Sequence, residues 1–243
     1  METVDEYRSL VTADDLVFTR VRIGESDLMI RADREPGRPA REALVRYRRE
    51  IERYLSEHPG FRESLVPVRA APDAPDIIRS MARSGFLCGV GPMAAVAGAL
   101  AFFVGRDLSL LSPEVIVENG GDIYLACRRE RNILVYPGEG HPVSRNLGIR
   151  IVPGDMPAGV AASSGTRGRS LSWGRAAVAV VVADDPVLAD AAATALGNRI
   201  YREERSVLAA AGEAIGSIPG VRGSLVVCGG LIAVRGRIEL VGL

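Results

Sequence analysis

The sequence predicts an α+β fold with largely antiparallel sheets, and three observations carry that expectation. Short apolar runs bounded by turn residues alternate with longer amphipathic or apolar stretches. The order strands, helices, strands occurs about twice. An Asn-Gly pair stands between the runs Val115-Ile116-Val117 and Ile123-Tyr124-Leu125, a strong local signal for an antiparallel hairpin. The doubled order suggests a single domain over residues 1–243 made of two intimately associated halves, although no sequence repeat is detectable.

Residues 16–23 and 26–32 read as strands around Gly24-Glu25, an opening hairpin. After a Pro/Gly-rich linker, residues 40–57 carry Leu44, Tyr47, Ile51, Tyr54 and Leu55 on one helical stripe. The Arg and Glu residues of the other face alternate in sign, which suits a solvated surface better than a nucleic-acid interface. Pro75 opens a second helix and Gly85 is expected to end it. The run 93–104 is apolar almost all round and reads as a buried helix in which Gly98 permits close backbone approach. Strands are expected at 114–118, 122–127, 131–136 and about 146–152, then a loop of small residues from Ser163 to Ser172, then an apolar strand at 176–183. Asp184-Asp185-Pro186 should cap a helix running to Gly197. A helix at about 200–215 and strands at 221–228, 231–235 and 237–241 complete the chain.

Composition narrows the functional classes. The 243 residues are 47% hydrophobic and 25% charged with zero formal net charge, so no global field draws the protein to nucleic acid or to an anionic membrane. All 30 basic residues are arginines. Without lysine there is no lysine Schiff base and no Walker-type phosphate-binding ammonium, so a phosphate must be met by arginine, backbone N–H groups, helix N-termini or a metal. Cys88, Cys127 and Cys228 are odd in number, far apart and set among apolar or glycine neighbours, which suggests buried thiols in a reducing compartment. Two histidines exclude a histidine-rich metal site. The first ten residues are acidic and polar and no apolar run spans a bilayer, so a cytoplasmic location is expected.

Four segments could carry chemistry. In Glu118-Asn119-Gly120-Gly121-Asp122 the plain reading is a hairpin turn, favoured about two to one on the turn alone. The adjacent glycines would also admit a ligand to the backbone beside two carboxylates. Asp190 and Thr194 share one helix face at i, i+4 within an otherwise apolar helix. A carboxylate buried there needs a partner, and an arginine or a hard cation such as Mg²⁺ completed by phosphate and water would serve equally well. The glycines before Pro92 could present N–H groups to a phosphate, though close packing is the better explanation. The loop Ser163-Ser164-Gly165-Thr166-Arg167-Gly168-Arg169-Ser170 suits an anion in composition and reads first as a loop.

Taken in order, these segments resemble the ApbE-like superfamily, and most closely its branch called uncharacterised protein family 0280. The resemblance rests on Gly89-Val90-Gly91-Pro92-Met93-Ala94-Ala95-Val96-Ala97-Gly98, Val117-Glu118-Asn119-Gly120-Gly121-Asp122-Ile123, Ser163-Ser164-Gly165 and Ala189-Asp190-Ala191-Ala192-Ala193-Thr194-Ala195-Leu196. It implies two T-fold-like units, a site binding FAD or FMN with Mg²⁺, metal ligation by Asp190 and Thr194, and a ligand wall formed by Asn119, Gly120, Gly121, Asp122, Ser163, Ser164 and Gly165. Ala97-Gly98 stands where the family's FMN transferases carry Lys-Gly. Ser170-Leu171-Ser172-Trp173-Gly174-Arg175 likewise lacks their His-x-x-Asp-Pro pattern. The resemblance therefore implies a small phosphate-bearing ligand, with flavin or nucleotidyl transfer as the enzymatic form. The alternative is a non-catalytic binding or structural protein with a degenerate site.

Overall fold

The structure is a computed structural model that describes Val11 and residues 13–144, 146–164 and 174–243. It is an α+β fold with antiparallel sheets in three layers. Strands β1 (Val17–Ile23) and β2 (Ser26–Ala32) form the opening hairpin. Helices α1 (Gly37–Glu57), α2 (Pro59–Glu63), α3 (Asp76–Cys88) and α4 (Val96–Ser109) follow, and β3 (Val115–Asn119) and β4 (Asp122–Ala126) close the first run. After β5 (Arg131–Leu134) and β6 (Leu147–Ile151), the order recurs: β7 (Ala158–Ser163), β8 (Val178–Ala183), α5 (Pro186–Arg199), α6 (Arg205–Gly216), β9 (Val221–Cys228) and β10 (Leu231–Gly236). Strand β11 (Glu239–Gly242) ends the chain.

Among the described residues, eight strands make one sheet in the order β1-β2-β3-β4-β7-β8-β9-β10, every neighbouring pair antiparallel. Each ββ–helices–ββ run supplies four adjacent strands, and the β4–β7 pairing joins them. A second sheet, β11-β6-β5, covers the face opposite the helices. Side chains alternate across a strand, and the central strands of the large sheet are buried on both sides. In β8, Ala179, Val181 and Ala183 pack toward the helices, while Val178, Val180 and Val182 pack toward the small sheet. This two-sided burial explains the unbroken apolar run.

The expected helical stripe of α1 is buried as read: Leu44, Tyr47, Ile51, Tyr54 and Leu55 face the core. Other elements differ for identifiable reasons. Helix α3 runs past Gly85 to Cys88 and ends on Gly89, whose φ of 71° is the left-handed helix stop. Gly85 lies inside the helix because the Val90 carbonyl oxygen approaches to 2.9 Å of where a Cβ would stand. The single helix expected over 93–104 is a 3-10 turn, Pro92–Ala95, followed by α4. The helix expected from residue 200 begins at Arg205. Strand β7 was not expected; its Ala-Gly-Val-Ala-Ala-Ser sequence has the composition of a loop.

Small residues are required in β7 by what crosses it. A Cβ on Gly159 would overlap the backbone of Asp185 and Pro186, where α5 starts. A Cβ on Gly98 would likewise overlap the Pro186 carbonyl. Asp185 caps α5 by accepting the Leu188 N–H at 2.9 Å, with Pro186 at the first helical position. Helix α5 is therefore seated on the junction of the two runs, with residues 186–189 and 191–197 buried. We expect Gly159→Ala to lower stability by about 1–3 kcal/mol, the usual cost of overpacking. The urea unfolding midpoint measures it, and an unchanged midpoint would show that the α5–β7 contact is looser than described.

Candidate functional site

The β3–β4 turn is a two-residue hairpin in which Asn119 pairs directly with Asp122. Its central residues are Gly120 and Gly121, at φ 68° and 106°. Asn-Gly was expected at the centre of the turn; instead Asn119 ends β3 and contributes its side chain. Its Nδ2 donates to the Ala97 carbonyl oxygen at 3.0 Å. Glu118 belongs to the other face of the sheet, where its Oε1 accepts the Gly121 N–H at 2.9 Å and its charge offsets the burial of Arg31.

Asp190 meets the same stretch of α4 from helix α5. Its Oδ2 accepts the Gly98 N–H at 2.9 Å. A continuous helix through 93–104 would have directed that N–H to the carbonyl of residue 94, which is why the helix restarts here. Ala95, at the N-cap position of α4, has no capping side chain. A carboxylate one helix away fills that role, where both the free N–H groups and the helix dipole favour negative charge. The partner that the structure shows for Asp190 among the described residues is a backbone amide, that of Gly98.

These contacts assemble a compact acidic corner. Asp122 and Asn119 share the helix-facing side of the sheet, Asn119 holds Ala97, and Asp190 holds the next residue, Gly98. Thr194 lies one turn beyond Asp190 on α5 and is buried. Ser163 ends β7 on the helix-facing side, in register with Ala179. The Asp122 Oδ1 and Ser163 Oγ atoms are buried without a hydrogen-bond partner among the described residues. Ser164 is engaged elsewhere, its hydroxyl donating to the Ala177 carbonyl at 2.8 Å. Gly165 lies outside the described residues. The structure thus brings Asn119, Asp122 and Asp190 together around Ala97 and Gly98. Sequence reasoning had assigned the last two only to close packing and to the family comparison. Gly98 was the available signal, since a glycine inside a buried helix marks another backbone or side chain at close range.

Burial dominates the electrostatics of this corner. It raises the Asp190 carboxyl to about 7, against the pull of the Gly98 and Ala97 amides. Burial, then the charges of Asp190 and Glu118, push Asp122 well above the usual carboxylate range. Both carboxyls are thus held above the usual carboxylate range by the same burial. The oxygen donors suit a hard cation such as Mg²⁺, which binds through one or two carboxylates and is completed by phosphate and water. No group of three His, Cys, Asp or Glu among the described residues could hold a metal by itself, so such completion would be needed. The three cysteines are buried and unbridged.

With the geometry defined, comparison with known proteins assigns the family. The family described as AbpE bacteria matches residues 8–223. A UPF0280 protein from Methanocella arvoryzae is 38% identical over 221 residues, covering 90% of this chain and 88% of the relative. The chain belongs to the ApbE-like UPF0280 family. A UPF0280 protein from Methanopyrus kandleri is 42% identical over 180 residues, 74% of this chain and 72% of that protein. Among solved structures, the flavin transferase ApbE from Vibrio cholerae superposes with a TM-score of 0.57 at 12% identity, covering 93% of this chain and 96% of its own. The ApbE protein from Thermotoga maritima gives 0.55 at 12%, covering 91% and 97%. At such identity the likeness establishes the shared α+β fold. No single helix among the described residues of this family member is long and apolar enough to cross a membrane.

The raised carboxyls predict a pH dependence. A group whose folded pKa exceeds its unfolded value stabilises fully below the unfolded pKa, and that contribution is lost as pH rises through the folded pKa. For Asp190 the window runs from about pH 4 to 7, and the loss is on the order of 4 kcal/mol; Asp122 acts in the same direction. Asp15, which its hydrogen bond to Arg131 holds below the usual carboxylate range, affects only more acidic solutions. Metal-free protein should therefore lose stability between about pH 4 and 7 in chemical denaturation. Asp190→Asn, which keeps an oxygen for Gly98, should flatten that slope. A wild-type profile flat over the same range would refute the assignment.

Proposed function

We propose that this protein binds a small phosphate-bearing ligand, a flavin nucleotide, together with Mg²⁺ at Asp190 and Thr194. The observation that carries the reading is the junction of the α4 N-terminus with a buried acidic corner, in which two oxygen atoms, Asp122 Oδ1 and Ser163 Oγ, have no partner among the described residues. Buried polar atoms are normally hydrogen-bonded, and exceptions point to a ligand or ion. That the Vibrio cholerae neighbour is a flavin transferase supports the choice of flavin.

In this reading Asp190 and Thr194 hold the cation, while the Asn119–Asp122 turn and Ser163–Ser164 wall the ligand. A bound Mg²⁺ supplies charge neutralisation to a diphosphate. Asp190 keeps α4 in place, Asn119 fixes Ala97, and the glycines of the turn leave room for a ligand at the backbone. The chain has no lysine to assist at Ala97-Gly98, so the proposal stops at binding and does not extend to FMN transfer. The second reading, a non-catalytic scaffold in which Asp190 is only a helix cap, draws on its bond to Gly98.

Thermal unfolding separates the two. With Mg²⁺ present and FAD or FMN about 100-fold above its Kd, Tm should rise by roughly 5–10 °C, and Asp190→Asn should remove the Mg²⁺-dependent part of that rise. A variant that lowers Tm equally with and without flavin and Mg²⁺ would favour the scaffold. Absence of any shift with FAD, FMN or simple nucleotides would defeat the binding reading. Release of AMP from FAD would show that transfer occurs as well.

A further inference from the structure

We propose that Asp122 is the second carboxylate of the cation site, so that the metal is held between the two ββ–helices–ββ runs. This rests on the cation reading above but assigns a residue that the Asp190–Thr194 pair does not require. The two acids come from different runs of chain: Asp122 opens β4 in the first, and Asp190 lies on α5 in the second.

Their approach follows from a continuous chain of contacts. Asn119 and Asp122 are directly opposed across the hairpin, and Asn119 binds the Ala97 carbonyl at 3.0 Å. The next residue, Gly98, donates its N–H to Asp190 at 2.9 Å. Turn and helix α5 thus grip adjacent residues of α4, and the acid beside Asn119 faces the acid beside Gly98. The charges that act on Asp122 are those of Asp190 and Glu118, both negative.

Neither plain alternative explains Asp122. An N-capping or ion-paired carboxylate would be satisfied by its partners, as Asp190 is by Gly98 and Asp15 is by Arg131. Asp122 is only 6% exposed, and its Oδ1 has no partner among the described residues. The second observation is Ser163, 4% exposed on the same helix-facing side of the sheet, whose Oγ also lacks a partner among the described residues. Backbone pairing sets Ile123 against Val160, which places Asp122 beside Ala161, two residues from Ser163. Two carboxyl groups and a hydroxyl bring together the oxygen donors that suit a divalent cation keeping water or phosphate in its shell. A cation there would compensate the burial of both carboxylates at once.

The test is Mn²⁺ binding to the full chain, followed by loss of the free Mn²⁺ electron paramagnetic resonance signal, with and without FAD and with Mg²⁺ as competitor. Wild type should bind one Mn²⁺ displaceable by Mg²⁺, and Asp122→Asn should weaken it at least tenfold. The same substitution should raise the metal-free Tm, because it removes a buried carboxylate, and should abolish the further rise that Mn²⁺ gives wild type. If Asp122→Asn fails to fold, Asp122→Ser is read in the same way. Wild-type affinity in the Asp122 variant combined with loss in Asp190→Asn would overturn this inference and leave the Asp190 assignment standing. No Mn²⁺ binding by wild type under either condition would overturn both.

Discussion

Helix α5 approaches the start of α4 so closely that only glycine fits at position 98, and at that point the Asp190 carboxylate takes over a backbone amide that α4 cannot satisfy itself. Much of the architecture answers to this contact. It interrupts the apolar stretch after Pro92, splitting it into a 3-10 turn and a helix. It requires the start of α5 to lie against Gly159 of β7, so a central strand must be built of small residues. It also brings the β3–β4 turn within reach of the same helix, through Asn119 and Ala97. A buried charge is expensive, and this one is tolerated because the helix terminus supplies oriented N–H dipoles.

Features that depend on local chemistry were legible in the sequence. The β1–β2 hairpin, the stripe of α1, the Asp185-Pro186 start of α5 and the two-sided apolar strand β8 could each be read from periodicity or turn residues. The features that escaped are set by partners distant in sequence. Strand β7 looks like a loop because its alanines and glycine answer to α5, not to strand propensity. Gly85 looks like a helix stop because the close approach of Val90 and Pro92 cannot be seen in the chain. The doubled order of elements was visible, but the sheet that joins its halves was not, since the β4–β7 pairing spans an inserted pair of strands.

The candidate site divides along the same line. Asp190 stands out in the sequence as an acid among alanines, and that oddity made it a candidate. Its hydrogen bond to the Gly98 amide of another helix could not be read from the chain. Asn119 looked like a turn residue because Asn-Gly is a familiar turn pair, yet the turn shifted by one residue and freed its side chain to reach α4. The Asp122–Asp190 approach could not be anticipated, because the two residues belong to different runs and meet only through Ala97 and Gly98. Family likeness supplied the names of the parts, and the contacts supplied their arrangement.

The seam between β4 and β7 has a consequence for how this protein can change over evolutionary time. Side chains on a strand alternate with a period of two, so one residue inserted or deleted near the seam would turn an entire strand over. In β4 such a slip would move Asp122 to the face of the small sheet and bring an apolar neighbour beside Asp190. In β7 it would do the same to Ser163. The outer strands β1 and β10 lie at the free edges of the sheet and face no such restriction. Length variation can therefore accumulate at the rims of this fold, while the middle of the sheet must keep its residue count to keep its acids facing one another.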